Sequence, residues 1–167
     1  MTRREQISEF TLHGSSGASV LDKDFLFWIE SHPGTNFGRI TSYSWCVNDK
    51  IFRTQIDISK QVWSSLPDTT GFIAFESDWK PDNCVLLDVY GKERMRLTVP
   101  WEMTGSTHPE SAQAPTSFAN TSAPCMHPLT GEPGTFGVTA WVERAGKYYF
   151  ELDYHTGQFL WCRQVRD

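Results

Sequence analysis

His108, Cys125 and His127 lie in one stretch of the second half of the chain, and their side chains can bind metal or attack an electrophile. Imidazole nitrogen and thiolate sulfur are common zinc ligands, but structural zinc sites pair their ligands at short, regular spacings. Here Cys125 and His127 are separated by one residue, and His108 lies well upstream of both. The spacing therefore predicts no metal and no cofactor, and it favours loop residues that contact a ligand or a partner.

A cysteine near a histidine can also act as a nucleophile with its base. That chemistry requires the base within hydrogen-bond reach and a third group that orients it. The chain contains no Gly-x-Ser-x-Gly elbow or comparable local signature. We therefore assign no catalytic residue and favour a non-catalytic protein. A hydrolase-type enzyme that uses the loop at about 100–134, in which these residues lie, is the last of three functional alternatives.

Acidic side chains offer a further type of chemistry. Glu151 and Asp153 are two residues apart in a predicted strand, so their side chains share a face. Two carboxylates that flank a bond can hydrolyse a glycoside. The interpretation that we favour is the polar face of an amphipathic strand. Asp88 lies next to a turn, and we expect it to cap that turn.

Flat aromatic side chains are abundant, with seven tryptophans in the chain. Trp79 lies between Asp78 and Lys80, and Trp101 follows Pro100, so both are predicted to lie in loops. Loop tryptophans beside charged residues are typical of partner-binding patches. The predicted ligand- or partner-binding residues are Trp79, Trp101, His108, Cys125 and His127.

Short apolar runs bounded by turn residues predict the elements that position these side chains. They indicate an all-β fold, an antiparallel β-sandwich or barrel built from consecutive hairpins, with about eight to ten strands. At most one short helix is expected, over 59–66. The predicted strands cover residues 7–13, 25–30, 40–47, 51–58, 72–77, 84–90, 93–99, 136–144, 147–154 and 158–165.

Two-residue turns predict the strand register. A loop at 48–49 places Trp45 opposite Phe52, and side chains alternate between faces along each strand. Loops at 145–146 and 156–157 place six apolar side chains on one face of a three-stranded meander. They are Trp141, Phe150, Leu152, Tyr154, Phe159 and Trp161.

The segment from about residue 100 to 134 is rich in Pro, Ser, Thr, Ala and Gly, and we assign it no strand. A structureless loop of this length is unusual inside a compact domain, so it is either a disordered excursion or a functional loop. The chain is therefore expected to form a single β domain over residues 1–167, with one long loop.

The composition of the chain limits the classes of partner that it can bind. The formal net charge is −5, and no cluster of Lys and Arg reverses it locally, so nucleic acid is an unfavourable partner. We find no signal peptide and no apolar run long enough to cross a bilayer, which predicts a cytoplasmic protein with buried, reduced cysteines.

The function predicted first is a non-catalytic intracellular binding protein of the accessory or immunity type, with a protein partner. The second alternative is a β-sandwich or barrel that binds a small apolar molecule or a sugar against its aromatic residues. The sequence does not determine the oligomeric state.

Overall fold

The computed structural model describes residues 5–54, 61–105, 116–143 and 145–165. Within them, strands form three antiparallel four-stranded sheets, which confirms the predicted all-β class. The described strands are β1 (Ser8–Gly14), β2 (Ser19–Leu21), β3 (Ile40–Val47), β4 (Lys50–Arg53), β5 (Gln61–Ser65), β6 (Phe72–Glu76), β7 (Cys84–Leu87), β8 (Glu93–Leu97), β9 (Ser117–Ser122), β10 (Gly137–Val142), β11 (Gly146–Asp153) and β12 (Gln158–Gln164).

The strand orders are β2-β1-β3-β4, β12-β11-β10-β9 and β5-β6-β7-β8. Each sheet is open in the described part of the chain, as in a sandwich, so the closed barrel that the sequence also allowed is not formed there. The helical segments described are α1 (Phe25–Ser31) and two 3₁₀ turns, Asp22–Asp24 and Trp101–Thr104.

Contacts along the chain define two compact units. The first comprises Met1–Phe72 and Leu87–Lys92, and the second comprises Ile73–Leu86 and Glu93–Asp167. In the first unit the core is an aromatic cluster, in which neighbouring ring centroids lie 4.9–5.6 Å apart. Its members are Phe10, Tyr43, Trp45, Trp63 and Phe72. Such pairs contribute packing energy beyond the apolar area that they bury.

The β3–β4 hairpin of the first unit has the predicted register. Asn48 and Asp49 both adopt positive φ, at 50° and 64°, as a two-residue type I′ turn requires. Trp45 pairs with Phe52, and their rings stack with centroids 6.2 Å apart. The later part of the predicted strand, residues 55–58, lies outside the described residues.

Two predictions of secondary structure in this unit are wrong. The predicted strand at 25–30 is helix α1, because a short apolar run has no periodicity that separates a strand from a helix. Residues 61–65 of the predicted helix form β5, in which Val62 is exposed and Trp63 is buried. Residues 59–60 lie outside the described residues.

In the second unit, the segment predicted to be a loop contains a strand. β9 pairs antiparallel with β10, so part of the region from 100 to 134 belongs to a sheet. Its sequence, Ser-Phe-Ala-Asn-Thr-Ser, carries one large apolar side chain, Phe118, and this is why apolar patterning missed it. Residues 106–115 lie outside the described residues.

The predicted common face of the C-terminal meander is also wrong. β10 pairs with β11 so that Trp141 lies opposite Lys147 and Val138 lies opposite Phe150, because Val142 pairs directly with Gly146. A further register shift lies between Glu151 and Leu152. Since faces alternate along a strand, Trp141, Tyr149 and Trp161 share one face. Phe150, Leu152 and Phe159 lie on the other face.

Candidate functional site

Helix α1 presents large apolar side chains to solvent. Leu26 is 75% exposed, Phe27 73% and Ile29 46%. The inner side of the helix packs on Phe37, whose ring contacts Phe25 at 5.1 Å and Trp28 at 5.4 Å between centroids. The contacts of Phe25 and Trp28 with Phe37 hold the helix in place, and the opposite side of the helix is exposed to solvent. We call Leu26, Phe27 and Ile29 the α1 surface.

A depression of about 460 Å³ adjoins the α1 surface. It is lined by Val20, Leu21, Phe27, Trp28 and His32, among others. The His32 ring stacks on Trp28 with a centroid distance of 4.6 Å, and its Nδ1 donates to the Trp28 carbonyl oxygen at 2.8 Å. The wall of this depression is therefore ordered by internal contacts.

Trp79 lies at a second depression, in the second unit. The indole is 71% exposed, in the connection between β6 and β7. The depression has a volume of about 210 Å³ and is lined by Glu76, Asp78, Trp79, Asn83, Phe118 and Trp141, with smaller residues. We call it the Trp79 pocket. The predicted loop position of Trp79 is confirmed, and its role in binding stays a prediction.

Asn83 joins the Trp79 loop to the neighbouring sheet. Its Nδ2 donates to the carbonyl oxygens of Glu76, at 3.1 Å, and Phe118, at 2.9 Å. Its Oδ1 accepts from the backbone N–H of Phe118 at 2.8 Å. The side chain is buried, and these bonds hold the loop and strand β9 together at the base of the pocket. No pattern in the sequence points to Asn83, because its hydrogen-bond partner Phe118 is brought beside it only by the tertiary structure.

Trp101 is placed differently. It begins the 3₁₀ turn Trp101–Thr104, it is partly buried, and its N–H donates to the Val99 carbonyl oxygen at 2.9 Å. It does not line the Trp79 pocket. The two loop tryptophans of the prediction are therefore not gathered at one pocket.

The His127 imidazole organises a turn. Its Nδ1 accepts from the backbone N–H groups of Leu129 and Thr130, at 3.1 and 3.2 Å, and its ring contacts Trp161 at 5.0 Å between centroids. The carbonyl oxygen of Cys125 accepts from Gly134 N–H at 2.8 Å across the base of the turn. These contacts give His127 a structural role in the turn. The predicted binding role of Cys125 and His127 stays a prediction. His108 lies outside the described residues.

The four cysteines differ in how far they are buried. Cys84 is buried, as predicted, and burial raises the pKa of its thiol. The prediction of burial is wrong for the other cysteines, which are partly exposed, namely Cys46, Cys125 and Cys162. Among the residues that the structure describes, no three His, Cys, Asp or Glu side chains are grouped so that they could hold a metal ion.

Glu151 does not lie on a solvated polar face. It is 4% exposed and accepts hydrogen bonds from Thr135 and from the Tyr149 hydroxyl. Asp153 instead accepts from the backbone N–H of His155 at 3.0 Å, and this bond lowers the pKa of its carboxyl. The two carboxylates therefore have separate structural partners, and their predicted place on one polar strand face is corrected.

No helix in the described segments is both long enough and apolar enough to cross a membrane. No protein-family model matches the chain, and a search of curated proteins found no match. Among solved structures, the chain is similar to a chain of the structure described as Tne2 in complex with Tni2. The TM-score is 0.58 at 13% sequence identity, and the alignment covers 96% of this chain and 99% of that chain. At this identity the likeness shows a shared fold.

Proposed function

We propose that this protein is a non-catalytic binding protein of the accessory or immunity type, which forms a complex with a protein partner through the α1 surface. The observation that carries the proposal is the exposure of Leu26, Phe27 and Ile29 on a seven-residue helix that has no buried residue. Contiguous exposed apolar side chains on a folded protein mark interaction sites, because leaving them in water is unfavourable.

The chemistry of the α1 surface favours a protein over a small molecule. Its side chains project outward, and the depression beside it opens to solvent, whereas small-molecule sites enclose most of the ligand surface. Large apolar and aromatic side chains at the centre of a contact are the usual source of binding energy between proteins. The shared fold with a chain of a two-protein complex is in keeping with a protein partner. A cytoplasmic location remains part of this proposal.

The proposal is tested by affinity capture from lysate of the native source, followed by quantitative mass spectrometry. Three baits are compared: the wild-type protein, the double variant Leu26→Ser/Phe27→Ser, and the control Ile51→Ser. Ile51 is 77% exposed and lies on β4, so its substitution removes a similar exposed apolar side chain away from α1.

We expect one protein to be enriched by the wild-type and Ile51→Ser baits and to be lost with the double variant. The purified pair should then form a stoichiometric complex in size-exclusion chromatography with light scattering. The proposal fails if the double variant captures the same proteins as the wild type, or if the wild-type protein is recovered as a monomer without any partner.

A further inference from the structure

The lining of the Trp79 pocket combines two aromatic faces with negative charge. Trp79 and Trp141 contribute indole rings, and the charged residues of the lining are the acids Glu76 and Asp78. An indole face attracts cations through its quadrupole, and a carboxylate nearby adds a direct charge interaction. The composition of the pocket is therefore that of a site for a cation.

The charges around the pocket leave one carboxylate available. Glu76 is already paired, because its Oε1 lies 2.6 Å from Arg96 Nη1 and 3.9 Å from Lys80 Nζ. Arg96 also contacts Glu93 at 3.0 Å. Asp78 is exposed and has no side-chain partner among the described residues. An incoming cation would therefore meet Asp78 without displacing an existing ion pair.

Trp141 already interacts with a cation inside the protein. The Nζ atom of Lys147 lies 5.8 Å from the centroid of the Trp141 ring, within the usual range for a cation–π contact. The two residues pair directly across β10 and β11. The Trp141 ring is therefore already in contact with a cation, and the more exposed Trp79 is the indole of this pocket that is available for stacking.

We infer that the Trp79 pocket binds an arginine side chain that a protein partner presents. A guanidinium is planar, stacks on aromatic faces and donates two parallel hydrogen bonds to one carboxylate. Trp79 supplies the stacking face, and Asp78 is the acceptor. The Asn83 bonds order the backbone of Glu76 and Phe118, two lining residues, before binding, which lowers the entropic cost of association. An apolar occupant would bury Asp78 without a partner, which is unfavourable.

This site is independent of the α1 surface, so its test requires no partner protein. The ¹⁵N-labelled protein is titrated with N-acetyl-arginine N-methylamide, and the indole N–H signals are followed by NMR. Trp79→Phe and Trp141→Phe assign the two signals. The matching citrulline derivative is the neutral control, because a urea group replaces the guanidinium. Trp45 is buried and serves as the internal reference.

We expect saturable shifts of the Trp79 and Trp141 signals with the arginine derivative and no saturation with the citrulline derivative. Asp78→Asn should weaken binding by about tenfold, since a charged hydrogen-bond pair is replaced by a neutral one. Asp82→Asn removes the same charge outside the pocket lining and should leave the affinity within about twofold.

Three results would overturn the inference. They are an equal response to the arginine and citrulline derivatives, an equal effect of Asp78→Asn and Asp82→Asn, and binding of free L-arginine without binding of the blocked derivative. The last result would assign the pocket to a free metabolite. Each of them leaves the capture experiment on the α1 surface unaffected.

Discussion

Glu151 is a buried carboxylate whose hydrogen-bond donors come from two places in the chain, Thr135 and Tyr149. Its Oε2 accepts from the Thr135 backbone N–H at 2.7 Å and from Thr135 Oγ1 at 3.3 Å. Its Oε1 accepts from the Tyr149 hydroxyl. The space is tight, because a Cβ atom on Gly137 would lie 2.2 Å from Tyr149 Cζ. A buried carboxylate is tolerated here since its oxygens have donors.

Removal of the Tyr149 hydroxyl should therefore destabilise the protein. We expect Tyr149→Phe to lower the free energy of unfolding by about 1–3 kcal/mol, because a buried carboxylate oxygen loses a donor. Urea denaturation followed by tryptophan fluorescence measures the change. Tyr148→Phe is the control: Tyr148 is partly exposed, and its substitution should change the stability by less than about 0.5 kcal/mol. Equal losses in the two variants would contradict a stabilising role for this bond.

The same hydroxyl predicts an alkaline pH dependence. Burial, and then the hydrogen bond and charge of Glu151, raise the pKa of Tyr149 above its ordinary value of 10.0. Above that value the unfolded chain loses this proton while the folded chain keeps it, so the stability falls as the pH rises. Unfolding free energies of the wild type should decline beyond about pH 10, and those of Tyr149→Phe should decline less. Parallel pH profiles for the two proteins would refute this assignment.

At the scale of elements, the turns decide the register of the strands. Asn48 and Asp49 both adopt positive φ, which Asn and Asp tolerate, so this hairpin could be predicted from its local sequence. In the β10–β11 hairpin Trp141 lies opposite Lys147, whereas a loop at 145–146 would place it opposite Phe150, so the register is shifted by three residues. An odd shift in register exchanges the two faces of a strand, and this explains why the predicted meander face failed.

Asp88 caps the turn between β7 and β8, as its position in the sequence predicted. Its Oδ1 accepts from the backbone N–H groups of Tyr90 and Lys92, at 2.9 and 3.0 Å. Asp88→Ala should lower the free energy of unfolding by about 1–2 kcal/mol, because two turn N–H groups lose their acceptor. Asp88→Asn keeps an acceptor oxygen at this position and should retain most of the stability. If chemical denaturation shows the two variants to be equally unstable, the cap is not the cause.

At the scale of the whole molecule, the tryptophans separate into those that build the core and those that remain accessible. Trp45 is 2% exposed, and its Nε1 donates to the Val89 carbonyl oxygen at 2.7 Å. Its ring also contacts Trp63 and Phe72. Trp79, in contrast, is 71% exposed. The many tryptophans of this chain therefore serve two purposes. Some pack in the aromatic core of the first unit, and Trp79 is accessible on the surface of the second.

These two environments predict that the same substitution, Trp to Phe, changes the free energy of unfolding by very different amounts. Trp45→Phe should lower the free energy of unfolding by about 2–4 kcal/mol, because it leaves a cavity and an unpaired carbonyl oxygen. Trp79→Phe should change it by less than about 0.5 kcal/mol, because little of the side chain is buried. Urea unfolding followed by circular dichroism compares the two. A large loss of stability in Trp79→Phe would show that this residue packs in the core and would count against the Trp79 pocket.

The sequence alone determined the all-β class, the β3–β4 register, the turn cap at Asp88 and the loop position of Trp79. Each of these depends on residues close together in the chain, where backbone propensity and alternation act directly. Tertiary structure decided that residues 25–31 form a helix and that residues 117–122 join a sheet. It also placed Glu151 in the interior and Asn83 at the base of the pocket, because burial and hydrogen-bond partners depend on strands that are distant in sequence.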